Sequence, residues 1–443
     1  MRKYCLACAV LAFVAPCGID AQTPEKLDVT IEEAVRMAVE RHPDIGKTLA
    51  SAEVLKGKIR EVRAQALPEV TINSAANRMR DPSLLNATGL PEEFSDMLTA
   101  NVANLVTYGI AVKQPIYTAG KVGTALRLAS IEAEGASVDV DRAKQDLALS
   151  VVTAAYDVLR AERLRDLVAE TQDQKKRQLE IARTRYRNGV ATEVDVLRSE
   201  VAVANVTPEL VRAENAVRQT RALLNFYLVR PINYPTRVLG DFTEKLWDQN
   251  DIEGLTQEAF RRRPELARLR INESSAAAQL DLAKAENRMK LDFSASYGIA
   301  SRLPKNLANA NFVQWTTGLN FTLPVFDGFK RSGLVWQATA SQRAARLERE
   351  RTEQQIRLGL QQSLDGLKAA EETIAAARAN LNQAERVLSM MEANYRYGAA
   401  SSLDVLEAQN ALTLAKTNLL QGLRDHSVAR ANLKWAMGSN PWE

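Results

Sequence analysis

The second half of the chain repeats the first half, and this duplication restricts the possible folds more than any other feature. With an offset of 209 residues Pro115 aligns with Pro324, and nearer the amino terminus an offset of 221 residues aligns Pro43 with Pro264. The first copy therefore carries 12 extra residues between its two prolines, and we expect them in a loop. Solenoids and propellers have periods of about 20–50 residues, far shorter than this one. We expect one structural unit built twice.

The first 21 residues have the pattern of an export signal. Two basic residues precede an apolar run over 5–15 that is too short to span a bilayer, and we expect cleavage after Ala21. All three cysteines lie within this segment, at Cys5, Cys8 and Cys17. The mature chain therefore has no thiol. Lipidation at Cys17 is the alternative, although Pro16 makes a poor lipoprotein processing site.

Charge and composition exclude several classes of function. The 58 Lys and Arg residues are nearly balanced by 54 Asp and Glu, which argues against nucleic acid as a partner. With two histidines, no mature cysteine and no glycine-rich phosphate loop, the sequence supports neither an enzyme nor a cofactor or metal site. No apolar run long enough for a transmembrane helix follows the signal. We expect an exported protein that is either soluble in the periplasm or held in an outer membrane by strands.

Helical periodicity dominates each half. Apolar residues over 30–66 recur at helical spacing with a break at His42-Pro43, which predicts a short helix and then a longer one. Two proline-free, alanine-rich stretches follow at 121–187 and 330–396, each about 100 Å long if unbroken. Such length without a stop signal indicates coiled-coil packing. Return helices are predicted over 193–228 and 402–437.

Each half also contains a segment with the alternation typical of strands. We predict β-hairpins at 69–117 and 291–326, with strands of about ten residues, which is near the length that a tilted strand needs to cross a bilayer. Alternation of this kind also occurs in ordinary half-buried sheets. The first repeat then covers 22–230, an irregular linker covers 231–253, and the second repeat covers 254–443.

Four strands per chain require an assembly if they span a membrane. An open sheet edge in lipid leaves backbone groups unsatisfied at a cost of several kcal/mol each. Membrane barrels begin at about eight strands, so copies of the chain must combine. Three copies supply twelve strands and twelve long helices. The predicted fold is mainly α with membrane β: a duplicated helix-hairpin-helix unit whose four strands join a trimeric 12-stranded β-barrel above a coiled-coil α-barrel.

Two matching motifs carry a resemblance to a known family. The segment 186–197 reads YRNGVATEVDVL and the segment 395–406 reads YRYGAASSLDVL, with Pro115-Ile116-Tyr117 and Pro324-Val325-Phe326 at equal offsets upstream. Together with the duplicated order of elements, the chain resembles the TolC-like outer-membrane efflux channels over nearly its whole mature length. The resemblance implies a homotrimer with a barrel in the lipid of the outer membrane and a helical tunnel in the periplasm. It also implies docking on a periplasmic adaptor protein and an inner-membrane pump.

Glycine marks the point where each long helix must turn back. Only glycine takes the left-handed conformation without steric penalty, so Gly189 and Gly398 are predicted helix stops. The resemblance adds that these turns form the periplasmic tip, where adaptor proteins touch the channel. The candidate adaptor contacts are Asn188, Gly189, Val190, Tyr397, Gly398 and Ala399.

Acidic residues after the turns have two interpretations. Asp195 and Asp404 have the spacing of capping-box residues at the start of the return helices. The resemblance places a periplasmic gate near the same residues, where rings of like charge in a trimer would select cations. The gate candidates are Asp195, Tyr395, Asp404 and Glu407. The chain has Ala400 and Val194 where the family pattern has a basic and a hydroxyl partner, so the form of the closing latch stays open.

Two classes of function remain after this reasoning. The first is the passive outer-membrane duct of a tripartite efflux or secretion system, and the second is a periplasmic coiled-coil adaptor or scaffold without a barrel. Drugs, metal ions and polypeptides remain possible cargo, and the lack of Met or His clusters favours small amphiphilic compounds. Five aromatic residues are candidates for interfacial girdles or for ordinary packing: Tyr108, Tyr117, Tyr297, Trp315 and Phe326.

Overall fold

The computed structural model describes residues 27–80, 102–242, 245–248 and 251–442. The expected signal at 1–21, the possible lipidation site Cys17 and the segment 81–101 lie outside the described residues. Within the described ranges the chain is mainly helical, with eight α-helices and six strands. No helix there combines the length and apolar character that a bilayer crossing requires.

The elements of the two repeats follow one another in the same order. The first repeat consists of β1 (Leu27–Thr30), α1 (Ile31–Arg41), α2 (Pro43–Ala64), β2 (Glu69–Arg80), β3 (Val102–Tyr117), α3 (Lys121–Arg187) and α4 (Glu193–Tyr227). The second consists of β4 (Thr236–Leu239), α5 (Ile252–Arg262), α6 (Pro264–Ala285), β5 (Lys290–Ser301), β6 (Val313–Thr322), α7 (Lys330–Arg396) and α8 (Ser402–Ala436). Corresponding helices have 11, 22, 67 and 35 residues in both repeats. The 12-residue offset change therefore falls between β2 and β3.

Local signals explain where the short helices begin. The side chains of Thr30 and Glu33 form a reciprocal capping box at the start of α1. His42 separates α1 from α2, and the backbone N–H of Asp44 donates to its Nδ1 at 3.3 Å. Pro43 occupies the first turn of α2, where the missing N–H has no helical partner in any case. His42 is therefore a helix-end residue packed against the ring of Phe226.

The four long helices pack side by side in one strip. α3 packs along α4, α7 packs along α8, and contact between α3 and α8 joins the two repeats. The order across the strip is α4, α3, α8, α7, so α4 and α7 form its two edges. Nearer the strands, α2 packs on α3, and α6 packs between α3 and α7.

Apolar side chains fill a core in each repeat near the middle of the long helices. The first core contains Val151, Val158 and Leu224. The second core contains Leu360 and Leu433, which occupy the positions of Val151 and Leu224 after the 209-residue offset. A third cluster, around Leu388 and Val405, holds α7 against α8 near their turn. The repeat in sequence is therefore also a repeat in packing.

A short parallel pair of strands ties the start of the chain to the segment between the repeats. β1 pairs with β4, and Val29 and Val238, which lie opposite each other, are buried in the first core. The side chain of Asn225 holds the approach to β4, donating to the carbonyl oxygens of Ile232 and Tyr234 at 2.9 Å. The linker at 231–253 thus contains a regular strand, where irregular backbone was expected.

Candidate functional site

The four longer strands form one antiparallel sheet in the order β2, β3, β5, β6. Its register places Ile72, Ile110, Tyr297 and Trp315 side by side in one row across all four strands. This face is uncovered: Ile72 is 82% exposed and Trp315 is 69% exposed. Contiguous apolar patches of this kind mark a surface that contacts a membrane or another protein.

The opposite face of the sheet carries small and polar residues. The neighbouring row contains Asn73, Gly109, Gly298 and Gln314. Gly109 lies opposite Gly298, and a Cβ added to Gly109 would lie 2.6 Å from the carbonyl oxygen of Tyr297. The two glycines therefore permit a close approach of β3 and β5 on this face. A sheet with one apolar and one polar face suits a wall between lipid and water.

Both outer strands of this sheet have a free edge. β2 pairs only with β3 and β6 pairs only with β5 among the described residues. The sheet is too small to close on itself. All five candidate girdle residues are exposed in the single chain, so none of them packs in a core: Tyr108, Tyr117, Tyr297, Trp315 and Phe326.

At the other end of the molecule each long helix is followed, two residues beyond its last residue, by a glycine with positive φ. Gly189 has φ +73° and Gly398 has φ +77°. The backbone N–H of Val190 donates to the carbonyl of Arg185 at 2.9 Å, and that of Ala399 donates to the carbonyl of Asn394 at 2.8 Å. These are the bonds of a Schellman turn, in which an amide beyond the glycine satisfies a carbonyl of the last helical turn. The six candidate adaptor contacts thus lie in two equivalent turns.

The acidic residues after the turns cap the return helices. The carboxylate of Asp195 accepts from the backbone N–H of Thr192 at 3.1 Å and from its hydroxyl at 2.8 Å. The carboxylate of Asp404 accepts from the same groups of Ser401, at 2.8 and 2.7 Å. Hydrogen bonds from the backbone and side chain of Ser401 hold the pKa of Asp404 below its usual value. The capping interpretation of both residues is confirmed.

Tyr395 lies beneath the surface instead of on it. Its side chain is 8% exposed and packs with Val405, and burial raises its pKa. The guanidinium of Arg185 lies over the ring with its Cζ 4.4 Å from the centroid, and donates to the carbonyl oxygen of Tyr395 at 2.7 Å. Arg185 lies in the last turn of the first long helix and Tyr395 in the last turn of the second. This contact therefore joins the two turns of one chain.

Glu407 belongs to a different surface, a groove of 760 Å³ between α4 and α8 with α3 as its floor. Lys175 lies in this floor, is 6% exposed, and donates to Oδ1 of Asn410 at 2.7 Å. Burial lowers the pKa of Lys175, and the charge of Glu209 partly opposes this effect. Arg198 and Glu407 line the groove at positions that match after the 209-residue offset and carry opposite charges.

The structure brings together only some of the predicted gate residues. Tyr395 and Asp195 are close enough for the Asp195 charge to act on the Tyr395 hydroxyl, whereas Glu407 faces the groove. Arg185, Lys175 and Asn410 were not predicted from the sequence. The repeat could not reveal them because the matching positions carry Asn394, Ala384 and Val201. No group of three or more His, Cys, Asp or Glu side chains arranged to hold a metal occurs in the described ranges.

Comparison with known proteins shows which family this chain belongs to. The profile of the outer membrane efflux protein family matches residues 34–228 and 255–439, which together cover most of the chain and both repeats. The chain belongs to the outer membrane efflux protein family. The resemblance inferred from the sequence is thereby confirmed, and so is the outer-membrane location, with a long periplasmic helical portion. This family consists of transport ducts and not of enzymes.

Individual relatives cover nearly the whole chain. The outer membrane protein TolC of Escherichia coli is 25% identical over 419 residues, which are 90% of this chain and 80% of TolC. The outer membrane protein OprJ of Pseudomonas aeruginosa is 24% identical over 430 residues, covering 94% of this chain and 85% of OprJ.

Solved structures of other proteins share the fold of this chain. A membrane protein from Pseudomonas aeruginosa superposes with a TM-score of 0.80 at 22% identity, over 94% of this chain and 91% of that chain. The CmeC outer membrane channel of Campylobacter jejuni gives a TM-score of 0.79 at 16% identity, over 92% of this chain and 85% of that chain. The predicted fold class, mainly α with a β-hairpin in each of two helix-hairpin-helix repeats, is confirmed.

Proposed function

We propose that three copies of this chain form a passive duct across the outer membrane, and that none of its residues performs catalysis. The observation that carries the proposal is the sheet, which has an uncovered apolar face, a polar face and two unpaired edges. Joining β6 of one copy to β2 of the next removes every edge and gives a barrel of twelve strands. The apolar row through Ile72 and Trp315 then faces lipid, and the row through Asn73 and Gln314 faces the lumen.

The helical strip closes in the same way below the barrel. Its edges are α4 and α7, so three strips joined edge to edge enclose a tunnel of twelve helices. The chain contains no nucleotide-binding motif, and we propose that an inner-membrane pump supplies the energy through a periplasmic adaptor. The two glycine turns are the proposed adaptor contacts because they lie at the far end of the long helices and expose residues such as Val190 and Tyr397.

We propose a periplasmic gate at the same end of the tunnel, with Asp195, Tyr395, Asp404 and Glu407 in different roles. Asp195 and Asp404 fix the start of the return helices. Tyr395 and Arg185 hold the two turns together, so we propose that these turns separate when the gate opens. Glu407 presents its charge to the groove, and three copies supply three such charges at one level of the tunnel. Ala400 and Val194 have no charged side chains and cannot form an ion-pair latch. We propose that the contact of Arg185 with Tyr395 serves as the latch instead.

Fractionation and electrical recording test the duct against the soluble adaptor. The duct predicts that the protein sediments with outer membranes, needs detergent for extraction, and forms discrete ion-conducting channels in planar bilayers. A variant with charge in the apolar row, Trp315→Lys, is expected to abolish membrane insertion, and Gln314→Lys on the lumenal face serves as the matched control. Recovery of the unmodified protein as a soluble periplasmic species without channel activity would favour the adaptor alternative.

A further inference from the structure

The two repeats differ in how they use one glutamate and one arginine that occur in both. With the 209-residue offset, Glu162 of α3 aligns with Glu371 of α7, and Arg221 of α4 aligns with Arg430 of α8. Both pairs lie beside the segment that connects the repeats. In the second repeat they hold a piece of backbone, and in the first repeat they border an open pocket.

In the second repeat the pair binds the main chain of residues 245–247. Nη1 of Arg430 donates to the carbonyl oxygen of Lys245 at 3.1 Å. Glu371 accepts from the backbone N–H of Trp247 at 3.0 Å, and the Trp247 side chain packs against the second core. One guanidinium and one carboxylate thus bind an acceptor and a donor that lie two residues apart in a single peptide segment.

In the first repeat the same two side chains bond each other. Nη2 of Arg221 donates to Oε1 of Glu162 at 2.8 Å, while Nε of Arg221 is buried without a hydrogen-bond partner in the described part of the chain. A pocket of 480 Å³ lies next to them, between α3 and β4. Buried N–H groups in proteins are nearly always paired, so this one favours a ligand that brings an acceptor.

The pocket carries an excess of positive charge. Four arginines and two acids line it: Arg163, Arg165, Arg221, Arg237, Glu162 and Asp166. Each of the two acids pairs with an arginine of the pocket, at 2.8 and 2.5 Å. Arg163 reaches Asp241 only at 3.8 Å and its side chain is 57% exposed, and Arg237 is also exposed. The guanidinium groups of Arg163 and Arg237 are therefore accessible to a ligand.

This charge is particular to the first repeat. At the positions of Arg163 and Arg165 the second repeat has Glu372 and Ile374. Guanidinium groups bind carboxylates strongly, often through two parallel hydrogen bonds. The pocket therefore favours a ligand with carboxylate groups, whereas the second repeat binds a segment of its own chain that includes Trp247.

One wall of the pocket is a strand with a single neighbour. β4 pairs with β1 alone among the described residues, and residues 235–240 line the pocket. Extended peptides bind to strand edges by adding a strand, with main-chain hydrogen bonds that give affinity and side-chain contacts that give specificity. The wall therefore suits an extended segment, as does the pair of Arg221 and Glu162.

We propose that this pocket binds an extended, acidic peptide segment of another periplasmic protein. Arg221 bonds a carbonyl oxygen of that segment and Glu162 accepts from one of its N–H groups, as the equivalent pair does in the second repeat. Arg163 and Arg237 bind its carboxylate side chains. The site is separate from the two glycine turns, and it goes beyond the proposed function because it requires neither a closed ring nor a gate.

Peptide binding to the full-length protein in lipid nanodiscs tests the proposal. A fluorescein-labelled peptide of alternating glutamate and valine is expected to bind, as measured by fluorescence anisotropy, and a peptide of alternating lysine and valine is not. Arg163→Glu with Arg237→Glu is expected to weaken binding about tenfold or more, because two attractive charges become repulsive. Arg212→Glu with Arg302→Glu, which changes two exposed arginines outside the pocket, is the matched control and should leave the affinity unchanged.

An N-methylated peptide separates recognition of the main chain from attraction of carboxylates alone. Methylation at every residue removes the N–H groups that Glu162 and β4 bind, and is expected to abolish binding. Acetate and sulfate at the same concentration of charge should not displace the unmethylated peptide. Equal binding of the methylated peptide would overturn the peptide site and leave a site for free oxyanions only. Absence of binding by the unmethylated peptide would overturn the site altogether, and neither result affects the duct, which channel recording tests separately.

Discussion

At the residue scale, the residues near the turns of the two helical hairpins show which structural roles can be predicted from sequence. The capping residues Asp195 and Asp404 could be predicted because a cap depends on neighbours within three positions in the chain. The contacts of Arg185 with Tyr395 and of Lys175 with Asn410 could not, because each joins residues more than 200 positions apart. Neither is repeated in the other half of the chain.

Glu407 offers a prediction about ion passage. Glu407→Gln removes a charge from the proposed tunnel and is expected to weaken block by multivalent cations in planar bilayers, because fewer carboxylates attract the blocking ion. Arg198→Gln, at the equivalent position of the first repeat, should strengthen block. Glu214→Gln on the exposed side of α4, away from the groove, is the control. Equal block in Glu407→Gln and the unmodified channel would remove Glu407 from the gate.

Asp404 offers a prediction about pH. Its pKa is lowered in the folded chain by the hydrogen bonds from Ser401, so the ionised carboxylate stabilises the turn at neutral pH. This contribution is present above the ordinary aspartate pKa of about 3.9 and is lost as pH falls through the lower folded value. Amide hydrogen exchange around 398–406 should therefore accelerate at acid pH beyond the intrinsic change in rate. Ser401→Ala should reduce protection already at neutral pH, and Thr373→Ala, on an exposed part of α7, should not.

At the scale of elements, length decides what can be predicted. Helices α3 and α7 could be predicted because 67 residues without proline leave few alternatives to a continuous helix. Strands β1 and β4 could not, because four residues carry almost no periodicity and their pairing joins Leu27 to Thr236. The sheet is intermediate: alternation indicated its strands, but the pairing of β3 with β5 across the two repeats required the structure.

The two faces of the sheet give a prediction for the introduction of a single arginine on either face. Ile72→Arg places a guanidinium on the apolar face and is expected to destabilise the membrane-inserted form by about 2–4 kcal/mol if the residue lies near the bilayer midplane. Asn73→Arg, the adjacent residue on the polar face, should be tolerated because its side chain meets water. The measurement is the urea midpoint of the protein refolded into lipid vesicles. Similar midpoints for the two variants would show that the two faces of the sheet do not separate lipid from water.

At the scale of the whole molecule, duplication makes a closed ring attainable from few chains. Each repeat supplies one hairpin and one pair of long helices, so three chains in the proposed ring would provide six nearly equivalent sectors of its wall. Within the described ranges a single chain leaves both its sheet and its helical strip with two unpaired edges. In the proposed ring the same two copies would meet in the sheet and in the helical strip, because the first repeat supplies the edges β2 and α4 and the second supplies the edges β6 and α7.

The mass of the particle extracted from outer membranes tests this account most directly. Native mass spectrometry of the detergent-extracted protein is expected to show three mature chains, released together from one particle that conducts ions when returned to a bilayer. A particle containing a single chain, in the membrane or in the soluble periplasm, would contradict the claim that copies of this chain close each other's sheets.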